Sequence, residues 1–155
     1  MKFAIPSSLK AEHEELHAEL AQAIKAGGRT GEAAAAVAKL MHPHFVKEEE
    51  FALPPLGLLA ALSRGQIEDG MADVVKMTDQ LEAELPGMLA EHRHIVAALE
   101  ALVDAAKAEN KPHHVRFAKK LISHARAEEE VSYPTALLIG RFVKALLAGG
   151  KPKVA

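Results

Sequence analysis

The chain has 155 residues, of which 49% are hydrophobic, and this length and composition predict one domain with a sizeable core. Its formal net charge of -2 argues against a nucleic-acid partner, which would require a surplus of basic residues. The absence of cysteine excludes disulfides, thiolate metal sites and iron–sulfur clusters. We recognise neither a membrane span nor a secretory signal in the sequence, and we therefore expect a cytoplasmic protein without a membrane partner.

Frequent alanine and sparse β-branched residues favour helices, and glycine and proline divide the chain into segments. We predict helices over residues 8–26 (helix A), 30–53 (helix B), 56–63, 88–108 (helix C), 111–133 (helix D) and 135–148. Helix C is the second half of a longer helical stretch that begins near residue 69, and Pro86-Gly87 predicts a kink or a break between the halves. Residues 1–148 are expected to form the domain, and residues 149–155 a flexible tail.

The chain also contains an internal repeat. His44-x-x-x-Glu48-Glu49, followed by Pro54, recurs 80 positions later as His124-x-x-x-Glu128-Glu129, followed by Pro134, and Glu12-His13 recurs as Glu91-His92. Each half is therefore a helical hairpin with a histidine on its first helix and a His-x-x-x-Glu motif on its second. Two such hairpins predict an all-α, up-down four-helix bundle with pseudo-twofold symmetry, in which residues 66–87 are an insertion between the halves.

The repeated polar residues fall on the inward faces of the predicted helices. In helices B and D, the His-x-x-x-Glu motif interrupts an apolar stripe with alternating spacings of four and three residues, and the stripe of helix D ends at Val131. Helices A and C add histidines at the same level of the bundle. The side chains predicted to converge there are His13 and His17 from helix A, His44 and Glu48 from helix B, His92 from helix C, and His124 and Glu128 from helix D.

Burial of these groups requires compensation, because one unpaired polar group costs about 2–7 kcal/mol and the net stability of a domain is about 5–15 kcal/mol. A pair of metal ions meets this requirement, and imidazole and carboxylate without sulfur suit iron, manganese or zinc. If five histidines, two bridging glutamates and a bridging oxo or hydroxo group surround two six-coordinate ions, a single position stays open. Such a position beside a redox-active pair suits a diatomic ligand such as O2. If His17 is not a ligand, a second position opens.

The repeated motifs, which span residues 8–134, resemble those of the hemerythrin-like, HHE cation-binding family. The resemblance implies a four-helix bundle around an oxo- or hydroxo-bridged di-iron centre. Members of this family include O2 carriers, sensors of O2, redox state or iron, and proteins linked to nitric-oxide stress or iron-centre repair. The chain departs from respiratory hemerythrins at Val96, where those proteins carry a second helix C histidine. Glu129 has the spacing of their aspartate, but we prefer Glu128 because the repeat pairs it with Glu48.

We therefore expect a binder, store or sensor of O2 or NO that holds two iron ions, with manganese or zinc as alternative metals. A second hypothesis is a di-iron enzyme, such as a peroxidase, an oxidase or a protein of NO stress and iron repair. A third is a structural or interaction module that holds zinc or no metal. The sequence leaves the redox partner and the oligomeric state open.

Several residues near the predicted ligands are expected not to bind the metal. Glu49 and Glu129 are expected beside the ligands rather than among them. His94 lies about 200° around the helix from His92 and is expected to face solvent. Tyr133 is expected to pack like Leu53, its repeat mate, and the sequence leaves open whether the Tyr133 hydroxyl reaches the metal pocket.

Overall fold

The computed structural model of the protein describes residues 3–67 and 70–149, and within these ranges the chain is all-helical and contains no strand. The α-helices are α1 (Ser7–Lys25), α2 (Gly28–Lys47), α3 (Leu59–Ser63), α4 (Met71–Ala108), α5 (Pro112–Ala127) and α6 (Tyr133–Leu147). The predicted all-α class is therefore confirmed. None of these helices is long and apolar enough to cross a membrane. Residues 150–155 of the predicted tail lie outside the described ranges.

The helices pack around a core that consists of two hydrophobic clusters. α1 and α4 each pack against both α2 and α5, and α6 packs against α4. One cluster includes Leu16, Leu99 and Phe117, and the other includes Leu81 and Ile139. Leu81 belongs to the predicted insertion, which in the structure supplies the first half of α4 and packs against α6.

Of the two alternatives predicted at Pro86-Gly87, a kink or a break, the break is wrong, because α4 continues through both residues from Met71 to Ala108. Proline inside a helix removes one backbone hydrogen bond and displaces the carbonyl group of the residue four positions earlier. Pro86 is exposed, so water can hydrogen-bond the carbonyl that loses its partner. The buried side chains of Leu81 and Met88 on either side of the proline hold both halves of the helix against the core.

A π-helical turn follows the His-x-x-x-Glu motif in each half of the chain. These turns are Glu48–Ala52 after α2 and Glu128–Ser132 after α5, and their first residues are the repeated glutamates. The Leu53 N–H donates to the Glu48 carbonyl at 2.8 Å, and the Tyr133 N–H donates to the Glu128 carbonyl, five residues earlier in both cases. Such wide turns are rare and occur frequently at functional sites.

The π-helical turns also change two predicted helix ends. α2 ends at Lys47 rather than near residue 53, and a 3-10 turn, Pro54–Leu58, leads from the first π-helical turn towards α3. The predicted interruption before Pro134 is absent, because α6 begins directly after the second turn. Pro134 is the second residue of α6, a position in the first helical turn that proline tolerates.

The carboxylate of Glu109, which follows α4, joins the two halves of the chain by capping α2. It accepts hydrogen bonds from the Thr30 hydroxyl at 2.6 Å, from the Thr30 N–H at 2.7 Å and from the Arg29 N–H at 3.3 Å. These groups are in the first turn of α2, where backbone N–H groups lack helical partners. The hydrogen bonds from Thr30 and Arg29 lower the pKa of the Glu109 carboxyl to about 2.

Glu109→Gln is expected to lower the free energy of unfolding at neutral pH, and the loss should shrink as the solution is acidified. The pKa is depressed from 4.5 to about 2 in the folded chain, so the stabilisation is complete above pH 4.5 and disappears as the pH falls towards 2. Urea unfolding of both proteins over a pH series measures this difference. Glu100→Gln, at an exposed position of α4, is the control and should show no such pH dependence. A loss that is the same at every pH would contradict the prediction.

Candidate metal centre

Six of the seven predicted ligands are buried together at one level of the fold. They are His13 on α1, His44 and Glu48 at the end of α2, His92 on α4, and His124 and Glu128 at the end of α5, with exposed fractions between 0% and 8%. Along α4, His92 lies between Met88 of one hydrophobic cluster and Ile95 of the other. These six polar side chains therefore form a cluster that apolar side chains enclose. Inside the cluster, the nitrogen atoms of the histidines face the oxygen atoms of the glutamates.

One group of atoms that could hold a metal ion comes from His44, Glu48, His92 and Glu128, whose ligand atoms lie within 4.8 Å of one another. We call it subsite 1. The Nε2 atoms of His44 and His92 are 2.8 Å apart, and His44 Nε2 lies 3.1 Å from Glu48 Oε1. His92 Nε2 lies 3.4 Å from Glu128 Oε2. Adjacent ligands of one ion, each about 2.1 Å from it, are separated by about 3 Å, so the spacing fits a common ion.

A second group comes from His13, His124 and Glu128, and we call it subsite 2. His124 Nε2 lies 2.8 Å from Glu128 Oε1, and His13 Nε2 lies 3.4 Å from the same oxygen. The two Nε2 atoms are 3.3 Å apart. Subsite 2 therefore repeats the imidazole pair of subsite 1, with helices α1 and α5 in place of α4 and α2.

Both buried carboxylates reach from one subsite to the other. Glu128 directs Oε2 towards His92 of subsite 1 and Oε1 towards the two histidines of subsite 2. Glu48 directs Oε1 towards His44, while its Oε2 lies 3.7 Å from His13 Nε2. Glu48 Oε2 is buried without a hydrogen-bond partner. Buried polar atoms normally have a hydrogen-bond partner, so an unpartnered carboxylate oxygen between two imidazole pairs fits a cation-binding site.

Each of the four histidines turns its other ring nitrogen towards a glutamate on the outside of the cluster. The Nδ1–carboxylate distances are 2.7 Å for His44–Glu91, 2.8 Å for His92–Glu129, 3.3 Å for His124–Glu12 and 3.7 Å for His13–Glu49. The expected positions of Glu49 and Glu129 beside the ligands are in agreement with this geometry. The roles of Glu12 and Glu91 were missed, although the repeated Glu-His dipeptides contained the signal.

In subsite 1, the outer carboxylates favour one tautomer of each ring, because Glu91 and Glu129 are hydrogen-bonded to Nδ1 of His44 and His92. A carboxylate on Nδ1 favours the proton at that atom, so the neutral ring presents the lone pair of Nε2 to the centre. In subsite 1, the two lone pairs of His44 and His92 then point at each other across 2.8 Å. A proton or a cation between them removes the repulsion, and the nearby carboxylates make a cation favourable.

The pKa values of the cluster reflect the same competition between burial and charge. Burial lowers the pKa of His124, but the hydrogen bond and charge of Glu128 outweigh it and raise that pKa to about 9. Burial and the charge of Glu128 raise the pKa of Glu48. Burial also raises the pKa of Glu128, yet hydrogen bonds from His124, His13 and His92 hold it well below its usual range. The site therefore favours net positive charge beside Glu128.

His17 is the one predicted ligand that the structure does not bring into the cluster. Its side chain is exposed, and its ring packs against Phe45 with centroids 4.4 Å apart. The buried residues of α1 define a face whose centre is about 80° from His17 at 100° per residue. Leu16 occupies the inward position instead and is fully buried. The spacing of four from His13 placed His17 near this face but did not show that it lies at the edge.

Tyr133 was expected to pack in the core, and the structure places its hydroxyl in subsite 1. The hydroxyl donates to Glu48 Oε1 and lies 3.3 Å from Nε2 of both His44 and His92. Val131, predicted on the inward stripe of helix D, is 61% exposed. The wide π-helical turn explains both outcomes, because it rotates Val131 outward and returns Tyr133 to the inward face, which α-helical spacing does not anticipate.

The remaining assignments concern histidines and apolar residues outside the cluster. His94 is exposed, in agreement with its predicted orientation, and so are His42 and His113. His114 is half-buried. Among the apolar residues near the inward helical faces, Val96 is half-buried, and the buried ones are Leu16, Leu20, Phe51, Leu99, Phe117 and Leu121.

Comparisons with known proteins add no relative to this description. No protein-family profile, no curated protein and no solved structure matches the chain. The buried histidines and glutamates are compatible with a hemerythrin-like domain, and the assignment of a function rests on their chemistry.

Proposed function

We propose that this chain is a hemerythrin-like, non-haem di-iron protein that binds or senses O2 or NO. The observation that carries the proposal is the pair of buried carboxylates, Glu48 and Glu128, which each offer one oxygen to either of two imidazole pairs. Two cations bridged by two carboxylates match this arrangement better than a single ion, because one ion cannot contact both imidazole pairs and leave both carboxylates shared.

Four histidines are the metal ligands in this proposal, together with the two bridging glutamates. His44 and His92 would hold one ion, and His13 and His124 would hold the other. Imidazole and carboxylate without thiolate suit iron, manganese and zinc, and the resemblance of the repeated motifs to the hemerythrin-like family favours iron. Bound iron supplies reversible electron exchange with a diatomic ligand.

The chain's own contribution is to orient the imidazoles and to exclude water. The outer carboxylates on Nδ1 hold the rings with Nε2 inward, and such partners contribute about 10–100-fold to metal affinity. Phe45 packs against the ring of His13 with centroids 4.7 Å apart, and the buried Met88 and Ile95 flank His92 along α4, so the surroundings of the cluster are apolar. A small apolar ligand can enter such surroundings, whereas water and larger polar solutes are disfavoured.

Metal content and a visible spectrum of the full chain test the proposal. After reconstitution with iron, we expect about two irons per chain, an oxidised form whose visible spectrum changes with azide, and a spectral change when the reduced protein meets O2 or NO. Zinc reconstitution is the control and should give a colourless protein. Retention of at most one metal per chain, or an iron-loaded protein that responds to neither gas, would contradict the proposal.

A di-iron enzyme is the second candidate, and the position of His17 favours it. Because His17 lies outside the cluster, fewer histidines than expected fill the coordination positions, and more of these positions are open to a substrate. A stable adduct with O2 or NO supports a binder or a sensor. Catalytic consumption of hydrogen peroxide or NO by the iron-loaded protein supports the enzyme.

A further inference from the structure

The two subsites differ at one oxygen atom, the hydroxyl of Tyr133. It lies 3.3 Å from Nε2 of His44 and 3.3 Å from Nε2 of His92, and it contacts Glu48 Oε1. These separations are close to the spacing of about 3 Å between adjacent ligands of one ion. The hydroxyl therefore has the position of a further donor to subsite 1 rather than that of a distant neighbour.

The surroundings of Tyr133 hold the hydroxyl in this position. The side chain is 1% exposed, and its ring lies nearly parallel to that of His92, at 25° with centroids 5.7 Å apart. The π-helical turn before Tyr133 directs the ring inward, and the Tyr133 N–H is bonded to the Glu128 carbonyl of the same turn. Little freedom remains for the ring to move away from His44 and His92.

Within residues 3–67 and 70–149, we find no equivalent donor in subsite 2. The repeat mate of Tyr133 is Leu53, which is 1% exposed and carries no polar atom on its side chain. His17, on α1 beside subsite 2, is exposed and packs against Phe45 instead. The pseudo-twofold arrangement is thus broken at the centre itself, with one donor more on the side of His44 and His92.

We propose that the Tyr133 oxygen is a ligand of the metal ion in subsite 1, and that the open position for a small exogenous ligand is therefore in subsite 2. This inference rests on the dinuclear site proposed above. When the metal–oxygen bond forms, the phenolic O–H bond breaks and the proton passes to solvent, and no electron is transferred. The two metal positions are then chemically different, although the histidines and glutamates around them are repeated.

The composition of the chain makes the ligand role of Tyr133 directly measurable. Tyr133 is the only tyrosine, and the chain has no tryptophan, so its near-ultraviolet absorbance reports on this side chain alone among the strong chromophores. Zinc is the appropriate probe because it is colourless and does not change oxidation state. Titration of the metal-free full-length protein with zinc should replace the phenol spectrum by the red-shifted spectrum of phenolate.

The expected result is two zinc ions bound per chain, with the phenolate spectrum complete after only one of the two binding steps. Two bound zinc ions with an unchanged phenol spectrum would overturn the role of Tyr133 and leave the dinuclear site intact. Binding of fewer than two zinc ions would instead contradict the proposed function. These two failures are therefore distinguishable in a single titration of the wild-type protein.

Tyr133→Phe provides a second measurement, since it retains the ring and removes only the oxygen. We expect the affinity for one of the two zinc ions to fall by about tenfold or more, with the other unchanged. Equal affinities of both zinc ions in the variant and the wild type would contradict the ligand role. If the variant does not fold, the titration of the wild-type protein decides the question alone.

The placement of the open position is tested with iron and azide. Iron-loaded, oxidised wild-type protein should show a phenolate-to-iron charge-transfer band, and resonance Raman spectra excited in that band should contain tyrosine ring vibrations. Added azide should bind and leave these vibrations in place. Their disappearance on azide binding would show that azide replaces Tyr133 and would contradict an open position in subsite 2.

Discussion

Glu128→Gln is expected to abolish binding of the metal pair. The Glu128 carboxylate offers Oε1 to His13 and His124 and Oε2 to His92, so it is the group that the two subsites share most closely. Glutamine keeps the shape of the side chain, but it removes the negative charge and replaces one acceptor oxygen by an NH2 group that cannot bind a cation. We expect a protein that retains at most one metal, with an affinity loss larger than the 10–100-fold effect of losing an outer partner.

Glu129→Gln is the matched control for this prediction. Glu129 is the adjacent residue and carries the same functional group, yet its side chain is 39% exposed and pairs with the outer nitrogen of His92, at 2.8 Å. The variant should therefore retain two metals, with affinity lowered about 10–100-fold. Metal analysis after dialysis and a zinc titration measure both effects. If Glu129→Gln loses the pair and Glu128→Gln keeps it, the assignment of the bridging carboxylate is wrong.

The outer carboxylates show that the internal repeat extends beyond the proposed ligands. Glu91 from the second half holds His44 of the first half, and Glu12 from the first half holds His124 of the second. Each half therefore orients a histidine of the other. Glu91 also pairs with Lys47. Burial raises the pKa of Glu91, but the hydrogen bond from His44 and the ion pair with Lys47 outweigh it and lower that pKa. Docking of the two halves and orientation of the rings are consequently coupled.

The sequence predicted the residues of the cluster well because two independent signals agreed. The 80-residue repeat paired His44 with His124 and Glu48 with Glu128, and the helical spacing placed all four on inward faces. A residue that recurs in the internal repeat and also lies on the inward face of its helix is rarely exposed to solvent. His17 satisfied neither condition fully, because no histidine stands at its repeat position and it lies at the edge of the face, and the structure leaves it exposed.

The errors have a common physical origin in departures from regular α-helical geometry. Val131 was misplaced because the i to i+5 hydrogen bond of the second π-helical turn departs from α-helical spacing, whereas Tyr133 is buried like its repeat mate Leu53, as predicted. Pro86-Gly87 was expected to kink or break the helix, but α4 continues through both residues, with Leu81 and Met88 buried on either side. Local sequence carries no clear signal for either effect, since both depend on tertiary contacts.

His92→Ala and His94→Ala form the sharpest pair of stability variants. Both positions are on α4, two residues apart, but His92 is buried with Nε2 in subsite 1, whereas His94 is exposed. The metal-dependent part of the stability separates ligand loss from simple loss of packing, because a metal that binds only the folded state stabilises it by about 2.7 kcal/mol per site at 100 times Kd. Thermal unfolding with and without added metal measures this increment.

For wild type and His94→Ala, we expect the same large increase in Tm on addition of metal. His92→Ala should unfold at lower temperature even without metal, because a buried ring is lost and the carboxylate of Glu129 loses its partner. The decisive result is the increase in Tm of His92→Ala on addition of metal. This increase should fall to the value expected for one metal site, or disappear. A full increase in His92→Ala, or a lost one in His94→Ala, would place the metal elsewhere in the fold. Ligation by His92 and mere burial of His92 therefore predict different dependences of Tm on metal concentration, because only a ligand residue changes the affinity for the metal.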